Sequence, residues 1–227
     1  MTGLVTLTEA EHHCLLQLDD GKANAISFEL LEQLGEALPR AAEAGKVLVV
    51  MGRPGKFSAG FDLNVMRGGE EGMRKLLLGG ARLSRKLLDF PTPVILGVSG
   101  HALAMGALLL LSADYRIGVR GDFKIGLNEV AIGMTLPYFG IELARARLAP
   151  THFGRAVTLA NIYAPDEAVA AGYLDEAVPE NEFESRIQAV AGAFAMLDMK
   201  AHRETRARAR EGLNAGLDHA FERELLA

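Results

Sequence analysis

Short apolar runs bounded by turn residues recur along the first half of the chain. Runs of this length between Gly, Pro or Asp are typical of buried strands, and strict alternation is typical of a half-buried strand. Residues 14–18 alternate, and Asp19-Asp20-Gly21-Lys22 follows them as a turn. The pattern predicts strands over residues 14–18, 46–51, 94–98 and 114–119.

Helical spacing appears between these runs. Leu30, Leu34 and Leu38 recur on one helical face after Ser27, which is a good N-cap. A second helix is predicted over residues 70–90, where Pro91-Thr92-Pro93 ends it, and a third begins at Ala102. Strands that alternate with helices predict a layered α/β fold with much parallel pairing.

From Pro137 onward the pattern is almost wholly helical. Its expected interruptions are Pro150, Pro165, Gly172 and Pro179, with one strand over residues 173–178. The stretch from Lys200 is rich in arginine but carries charges of both signs. It therefore favours a solvated helix face or a subunit contact over a polyanion site.

Composition narrows the class of protein. The chain has 227 residues, 49% of them hydrophobic, which is enough for one sizeable α/β domain or two small ones. A net charge of −5 gives no general attraction to nucleic acid or anionic membranes. The N-terminus lacks the basic and apolar regions of a signal peptide, and the apolar stretch 102–113 is too short to span a bilayer. We therefore expect a cytoplasmic protein without a nucleic-acid or membrane partner.

Several common functional motifs are missing from the sequence. It contains no GxGxxG after a strand and no GxSxG, and GRPGKF lacks the full phosphate-loop spacing. His12, His13 and Cys14 are consecutive, so a strand would point them to alternating faces. We expect no metal site and no separate cofactor.

Two segments rich in small residues are candidates for chemistry. Residues 56–63 and 100–107 each follow a predicted strand and lead into a helix, where backbone N–H groups are free to meet a ligand. Two such segments can converge on one thioester oxygen and hold the negative charge that develops there. Taken singly, each is also explained as a tight turn that needs glycine.

The same segments resemble a known family. GKFSAGFDL and GHALAMGALLLLSADYRIG are similar to the two oxyanion-hole segments of the crotonase, or enoyl-CoA hydratase/isomerase, superfamily, and KANAIS and PDEAVAAGYLDEAVP extend the resemblance. It implies a crotonase-like layered ββα-repeat core over residues 1–190 and a helical C-terminal region, 191–227, that serves trimerisation and is not an independent domain. It also implies an acyl-CoA substrate, a role in fatty acid metabolism, and a homotrimer or dimer of trimers.

The resemblance also assigns residues to the substrate site. The oxyanion amides fall on Phe61 and Met105, the second position being usually glycine in the family. Coenzyme A, which is part of the substrate, and its acyl group are implied to contact Lys22, Ala23, Ala25, Ala59, Gly60, Asp62, Leu63 and Leu108. From the residues alone, Lys22 is explained equally well as an exposed lysine in a turn, and Asp62 is explained as a helix cap.

The catalytic carboxylate is implied by the same alignment. The family's hydratases use two glutamates, and this sequence has Leu108 at the first position and Glu129, within IGLNE, at the second. One carboxylate beside an enolate is sufficient to move a proton from C2 to C4 of a 3-enoyl thioester. The pattern is similar to Δ3,Δ2-enoyl-CoA isomerases of the mitochondrial type, so we predict an isomerase with Glu129 as its partly desolvated base.

Other outcomes of the same enolate stay open at this point. Hydration, thioester hydrolysis and decarboxylation are alternatives, with Asp62 or His101 as acid or base, and so is a non-catalytic acyl-CoA-binding or protein-binding homologue. His101 is equally explained by packing. The walls of the acyl pocket are expected at Met66, Leu76, Phe139 and Leu143.

Overall fold

The computed structural model describes residues 3–226. Its strands are β1 (Val5–Glu9), β2 (His13–Leu18), β3 (Val47–Met51), β4 (Gly55–Ser58), β5 (Val94–Val98), β6 (Gly100–Leu103), β7 (Tyr115–Val119), β8 (Ile125–Gly126) and β9 (Glu176–Val178). Its helices are α1 (Phe28–Glu43), α2 (Leu63–Arg67), α3 (Glu70–Leu88), α4 (Met105–Leu110), α5 (Tyr138–Arg147), α6 (Pro150–Thr158), α7 (Pro165–Ala171), α8 (Glu180–Ala195), α9 (Met199–Ala209) and α10 (Glu211–Leu226).

A six-stranded sheet forms the centre of the molecule, in the order β1-β2-β3-β5-β7-β9. β1 is antiparallel to β2, and every other neighbouring pair in this sheet is parallel. The strands β3 and β5 are buried on both faces, as parallel strands covered by helices must be. The predicted α/β class and the four predicted strands are therefore confirmed.

A smaller parallel sheet, in the order β4-β6-β8, lies beside the first and carries the functional segments. The prediction of a helix from Ala102 was wrong by three residues. Ala102 and Leu103 instead pair with Ile125 and Gly126 of β8, and helix α4 begins only at Met105. Backbone pairing across more than twenty residues overrides the helical preference of the small residues here.

Two helices begin directly after a residue whose side chain caps them. The hydroxyl of Ser27 accepts a hydrogen bond from the Leu30 N–H at 3.2 Å and caps α1. The carboxylate of Asp62 accepts one from the Asn64 N–H at 2.8 Å and caps α2. Both caps satisfy N–H groups that the first helical turn leaves without a partner, as the sequence predicted.

The C-terminal helices pack back onto the core. α10 lies mainly against α5, and Arg206 and Arg210 reach the buried carboxylate of Asp114 at 2.9 and 2.7 Å. A role of residues 191–227 in trimerisation stays a prediction. Across residues 3–226, each helix is too short or too polar to cross a bilayer.

Candidate active site

The first candidate donor is the backbone N–H of Phe61. Phe61 forms an isolated parallel bridge with Ile26, in which the Ile26 N–H donates to the Gly60 carbonyl at 2.8 Å and the Asp62 N–H donates to the Ile26 carbonyl at 3.0 Å. In a parallel bridge the bonds run through the neighbours of the bridged residue, so the Phe61 N–H points away from Ile26. It is available to a ligand.

The second candidate donor is the N–H of Met105. Met105 is the first residue of α4, where a helix has no acceptor of its own for the N–H group. The left-handed backbone falls on Ala104, with φ +50° and ψ −122°, and not on Met105. A methionine therefore occupies the position usually held by glycine without left-handed strain of its own, and Ala104 carries the strain instead.

The two donor segments touch each other at Gly60. A β-carbon on Gly60 would lie 2.7 Å from Cβ of Ala104 and 3.3 Å from the Met105 nitrogen. Gly60 also has φ +96°, which side chains rarely adopt. Glycine is therefore required at this position for two reasons, and its absence of a side chain lets the two amides approach one another.

The side chains of Phe61 and Met105 meet at Gly80 of α3. A β-carbon there would lie 2.5 Å from Cζ of Phe61 and 3.0 Å from Sδ of Met105. Met105 is fully buried. The packing of both side chains thus depends on one glycine in a helix that the sequence pattern treated as an ordinary amphipathic helix.

The predicted coenzyme A loop is tied to the first donor segment by Asn24. The buried side-chain amide of Asn24 donates to the main-chain carbonyls of Leu18, Lys56 and Phe57. The main-chain carbonyl of Asn24 accepts a hydrogen bond from the Ser58 hydroxyl at 2.7 Å. The Ala59 N–H donates to the Ala23 carbonyl at 3.0 Å. This bond brings Ala23 beside Ala59, although Lys22, Ala23 and Ala25 do not themselves line the cavity described next.

A mostly apolar cavity of about 450 Å³ opens beside the donor segments. Its wall includes Ala59, Phe61, Leu63, Met66, Met73, Leu77, Ala104, Asn128, Glu129, Met134 and Pro137. A second cavity of about 370 Å³ lies next to it, and both are lined in part by Met73, Leu77, Thr135 and Pro137. The cavity beside the two amides thus has a second, mostly apolar cavity as its neighbour.

Glu129 lines this cavity just beyond β8 and is 6% exposed. Burial raises the pKa of its carboxyl to about 7, opposed by a hydrogen bond from its own backbone N–H. Its Oε2 atom is buried and has no hydrogen-bond partner among residues 3–226. Glu129 is thus a carboxylate prepared to exchange a proton near neutral pH and free to meet a ligand.

Other predicted site residues lie elsewhere. Leu108 is fully buried and packs on Gly140, outside the cavity wall. His101 accepts a hydrogen bond from the Lys124 N–H at 2.9 Å and meets the Phe123 ring edge to face, which supports its packing role. Of the expected pocket walls only Met66 lines the cavity, whereas Leu76, Phe139 and Leu143 are fully buried in the core.

Sequence reasoning missed Asn128, whose carboxamide lines the cavity beside Glu129 and whose Oδ1 has no partner among the described residues. It also missed Asn24 and Ser58. The Asn in KANAIS and the Ser in GKFSAG lie within recognised segments, so the signal was available. Within residues 3–226, three or more potential metal ligands do not cluster.

Comparison with known proteins decides the family. Residues 9–225 match the sequence model of the enoyl-CoA hydratase/isomerase family. The chain belongs to the enoyl-CoA hydratase/isomerase family. A solved structure of a member of this family from Pseudomonas syringae is 43% identical, with a TM-score of 0.96 over 97% of this chain and 96% of that one. The crotonase fold and the enzyme class are thereby established.

Relatives within the enoyl-CoA hydratase/isomerase family carry different activities in their names. Mitochondrial enoyl-CoA delta isomerase 1 of Mus musculus is 28% identical over 181 residues, which is 78% of this chain but 63% of the mouse protein. Crotonyl-CoA hydratase of Syntrophomonas wolfei is 26% identical over 222 residues, 96% of this chain and 85% of the hydratase. The chain is therefore similar to both kinds of enzyme.

Proposed function

We propose that this enzyme is an enoyl-CoA isomerase that converts a 3-enoyl-CoA into the 2-trans-enoyl-CoA. The observation that carries the proposal is the position of Glu129. Among the described residues of the cavity wall it is the sole carboxylate, it is buried, and its Oε2 is unpaired. Proton transfer between two carbons of one substrate needs one group that alternates as base and acid, and a single carboxyl does this.

The proposed reaction starts with the ionised form of Glu129. A carboxyl whose pKa is about 7 is about half ionised at neutral pH, so base and acid forms are both populated. The carboxylate takes the proton from C2, and the electrons of that C–H bond move into the thioester, giving a dienolate. Protonated Glu129 returns the same proton to C4, and the double bond forms between C2 and C3. The reaction neither consumes nor releases water.

The N–H groups of Phe61 and Met105 are proposed to hold the thioester oxygen while it carries the negative charge. Neither has a hydrogen-bond acceptor among residues 3–226, and the two segments that carry them touch at Gly60. Such fixed donors stabilise the developing charge without rearrangement, and loss of one typically costs ~3 kcal/mol of barrier. The acyl chain would extend along Met73 and Leu77 toward the second cavity, while coenzyme A lies along residues 22–25 and Ala59.

The test uses purified protein with 3-hexenoyl-CoA and with crotonyl-CoA. We expect conjugated thioester to form from the first, and Glu129→Gln to lower that rate by at least ~10³-fold. Glu142→Gln, on the surface of α5, is the matched control and should keep the wild-type rate. Hydration of crotonyl-CoA with no isomerisation would overturn the proposal. Binding without turnover of either substrate would favour a non-catalytic homologue.

Hydration is the second candidate, and Asn128 favours it. Asn128 lines the cavity next to Glu129, and its buried carboxamide oxygen has no partner among residues 3–226, so a water molecule admitted to the site would supply the missing hydrogen-bond donor. Asn128→Ala distinguishes the two reactions, since it should reduce hydration and leave a proton shift within the substrate nearly unchanged.

We also propose a homotrimer, because large apolar side chains remain exposed in the single chain. Val130, Ile132 and Leu159 are large apolar side chains that remain 46%, 48% and 73% exposed in the single chain. Light scattering of the purified protein tests the assembly.

A further inference from the structure

Helix α5 begins at Tyr138 without a side-chain cap from its own segment. The residue before it is Pro137, whose side chain carries no hydrogen-bond acceptor, and its first turn contains no acidic residue. The first N–H groups of a helix have no partner within the helix, and the helix dipole places partial positive charge there. An acceptor from elsewhere in the chain would therefore stabilise this helix start.

Glu224, near the end of α10, supplies that acceptor. Its Oε1 atom accepts a hydrogen bond from the Tyr138 N–H, although the two residues are 86 positions apart in the sequence. The guanidinium of the preceding residue, Arg223, lies over the Tyr138 ring, with its Cζ 3.6 Å from the ring centroid. Two consecutive residues of α10 thus hold the first residue of α5, one by its backbone and one by its ring.

Helix α10 also contacts α3, where Asp218 pairs with Arg85 at 2.8 Å. The second cavity is lined by side chains of the same two helices, among them Leu78 of α3 and Ile141 of α5, and by Glu224 itself. The C-terminal helix therefore joins the two helices that form much of the wall of the second cavity.

The residue that Glu224 holds is continuous with the wall of the cavity that Glu129 lines. Pro137, directly before Tyr138, lines both cavities. Met134 lines the cavity of Glu129, and its N–H donates to the main-chain carbonyl of Glu129 at 2.9 Å. The short connection from Met134 to Tyr138 is therefore held by a hydrogen bond at each end, and Glu224 provides the second one.

We propose that Glu224 is a positioning residue that sets the space available to a long acyl chain. By capping α5 it fixes Pro137 and Tyr138 where they line the second cavity. The placement of an acyl chain there rests on the proposed function, whereas the cap itself does not. Arg85 and Asp218 line neither cavity, so their ion pair on the same helix offers a matched control.

The cap is tested by hydrogen exchange at the Tyr138 amide, measured by NMR. Glu224→Ala should speed this exchange about fivefold, as expected for the loss of a helix cap. Glu224→Gln keeps an acceptor oxygen and should retain most of the protection, and Asp218→Ala should leave the rate unchanged. Exchange at the wild-type rate in Glu224→Ala overturns the proposal, whether or not the protein is an isomerase.

The effect on the acyl site is tested by binding of dodecanoyl-CoA and hexanoyl-CoA, which have no double bond to shift. Glu224→Ala should raise the Kd of dodecanoyl-CoA about fivefold and that of hexanoyl-CoA less than about twofold. Glu224→Gln should recover most of the affinity, and Asp218→Ala should change neither Kd.

The difference between the two thioesters separates positioning from a general structural role. Equal weakening of both in Glu224→Ala, or the same loss in Asp218→Ala, would indicate damaged packing of α10 and overturn the proposal. If neither thioester bound to the wild-type protein, the proposed function would fail and the effect on the acyl site with it. The exchange of the Tyr138 amide would still show whether Glu224 caps α5.

Discussion

Cζ of Phe61 lies 2.5 Å from the position that a β-carbon on Gly80 would occupy, so the two residues are compatible only because Gly80 has no side chain. Sδ of Met105 lies 3.0 Å from the same position. The side chains of the two residues whose amides are proposed to hold the thioester oxygen therefore pack over a single point on α3.

Gly80→Ala is expected to displace both side chains and, with them, both amides. Overpacking costs roughly 1–3 kcal/mol, partly offset by the better helix propensity of alanine. We expect kcat to fall by at least ~10-fold, because misplaced donors lose their contact with the oxyanion. Gly79→Ala is the control, since its β-carbon meets the flexible end of Leu31 instead. A Gly80→Ala enzyme with wild-type kcat would contradict the expectation.

Ala104→Gly is expected to stabilise the protein. Ala104 has φ +50° and ψ −122°, a conformation that costs a non-glycine residue roughly 1–3 kcal/mol. Glycine removes this cost but adds unfolded-state entropy, so the net gain should be about 1 kcal/mol in urea unfolding. Ala107→Gly, inside the same helix at ordinary angles, should instead lose about 1 kcal/mol. A loss of stability in Ala104→Gly would show that the strain is absent.

The stability of the protein should depend on the ionisation of Glu129. Its pKa rises from 4.5 to about 7 on folding, which corresponds to roughly 3 kcal/mol. A raised carboxyl pKa means that the folded state binds more protons. This contribution is therefore complete below pH 4.5 and is lost as pH rises through 7. We expect Glu129→Gln to remove that pH dependence and to be more stable than wild type at pH 8, by denaturant unfolding; equal slopes against pH would refute this.

Leu77 is expected to control chain length. It lines both the cavity beside the amides and the neighbouring cavity, so a larger side chain there would reduce the space left for a long acyl chain. Leu77→Phe should lower kcat/KM for 3-dodecenoyl-CoA by about tenfold, since burying each lost methylene is worth ~0.8 kcal/mol. 3-Hexenoyl-CoA serves as the internal control and should change less than about twofold. Equal losses for both substrates would argue against a continuous acyl path.

Asp114→Asn should loosen the C-terminal helices. The carboxylate is only 13% exposed, pairs with Arg206 and Arg210, and also accepts from the Val94 N–H at 2.8 Å. Breaking a buried pair from one side typically costs ~3–5 kcal/mol. Asp166→Asn, which breaks an exposed pair with Arg120, is the control and should cost less than about 1 kcal/mol. Similar losses in the two variants, by urea unfolding, would contradict this account.

The sequence predicted the elements whose signal is local. The strands of the large sheet are apolar runs, Ser27 and Asp62 are caps with side-chain acceptors, and Glu129 lies in a recognisable motif. The expected desolvation of Glu129 agrees with its burial.

What could not be predicted depends on pairing over long separations. β4, β6 and β8 have four, four and two residues, and half of these are small residues that are equally common in loops. Their strand character arises because Ser58 pairs with Ala102, and Leu103 with Gly126. The expected pocket walls failed for the same reason, because an apolar residue on a helix faces the core or the cavity according to the packing of its neighbours.

The proposed oxyanion donors are main-chain groups, so no substitution at Phe61 or Met105, proline aside, can delete them. What substitution can change is the shape of the hydrophobic contact at Gly80 beneath them. Mutations can therefore act on these donors only by changing the packing around them, which shifts the N–H groups by fractions of an ångström. In the sequence, a gain or loss of activity would then look like a substitution in the hydrophobic core.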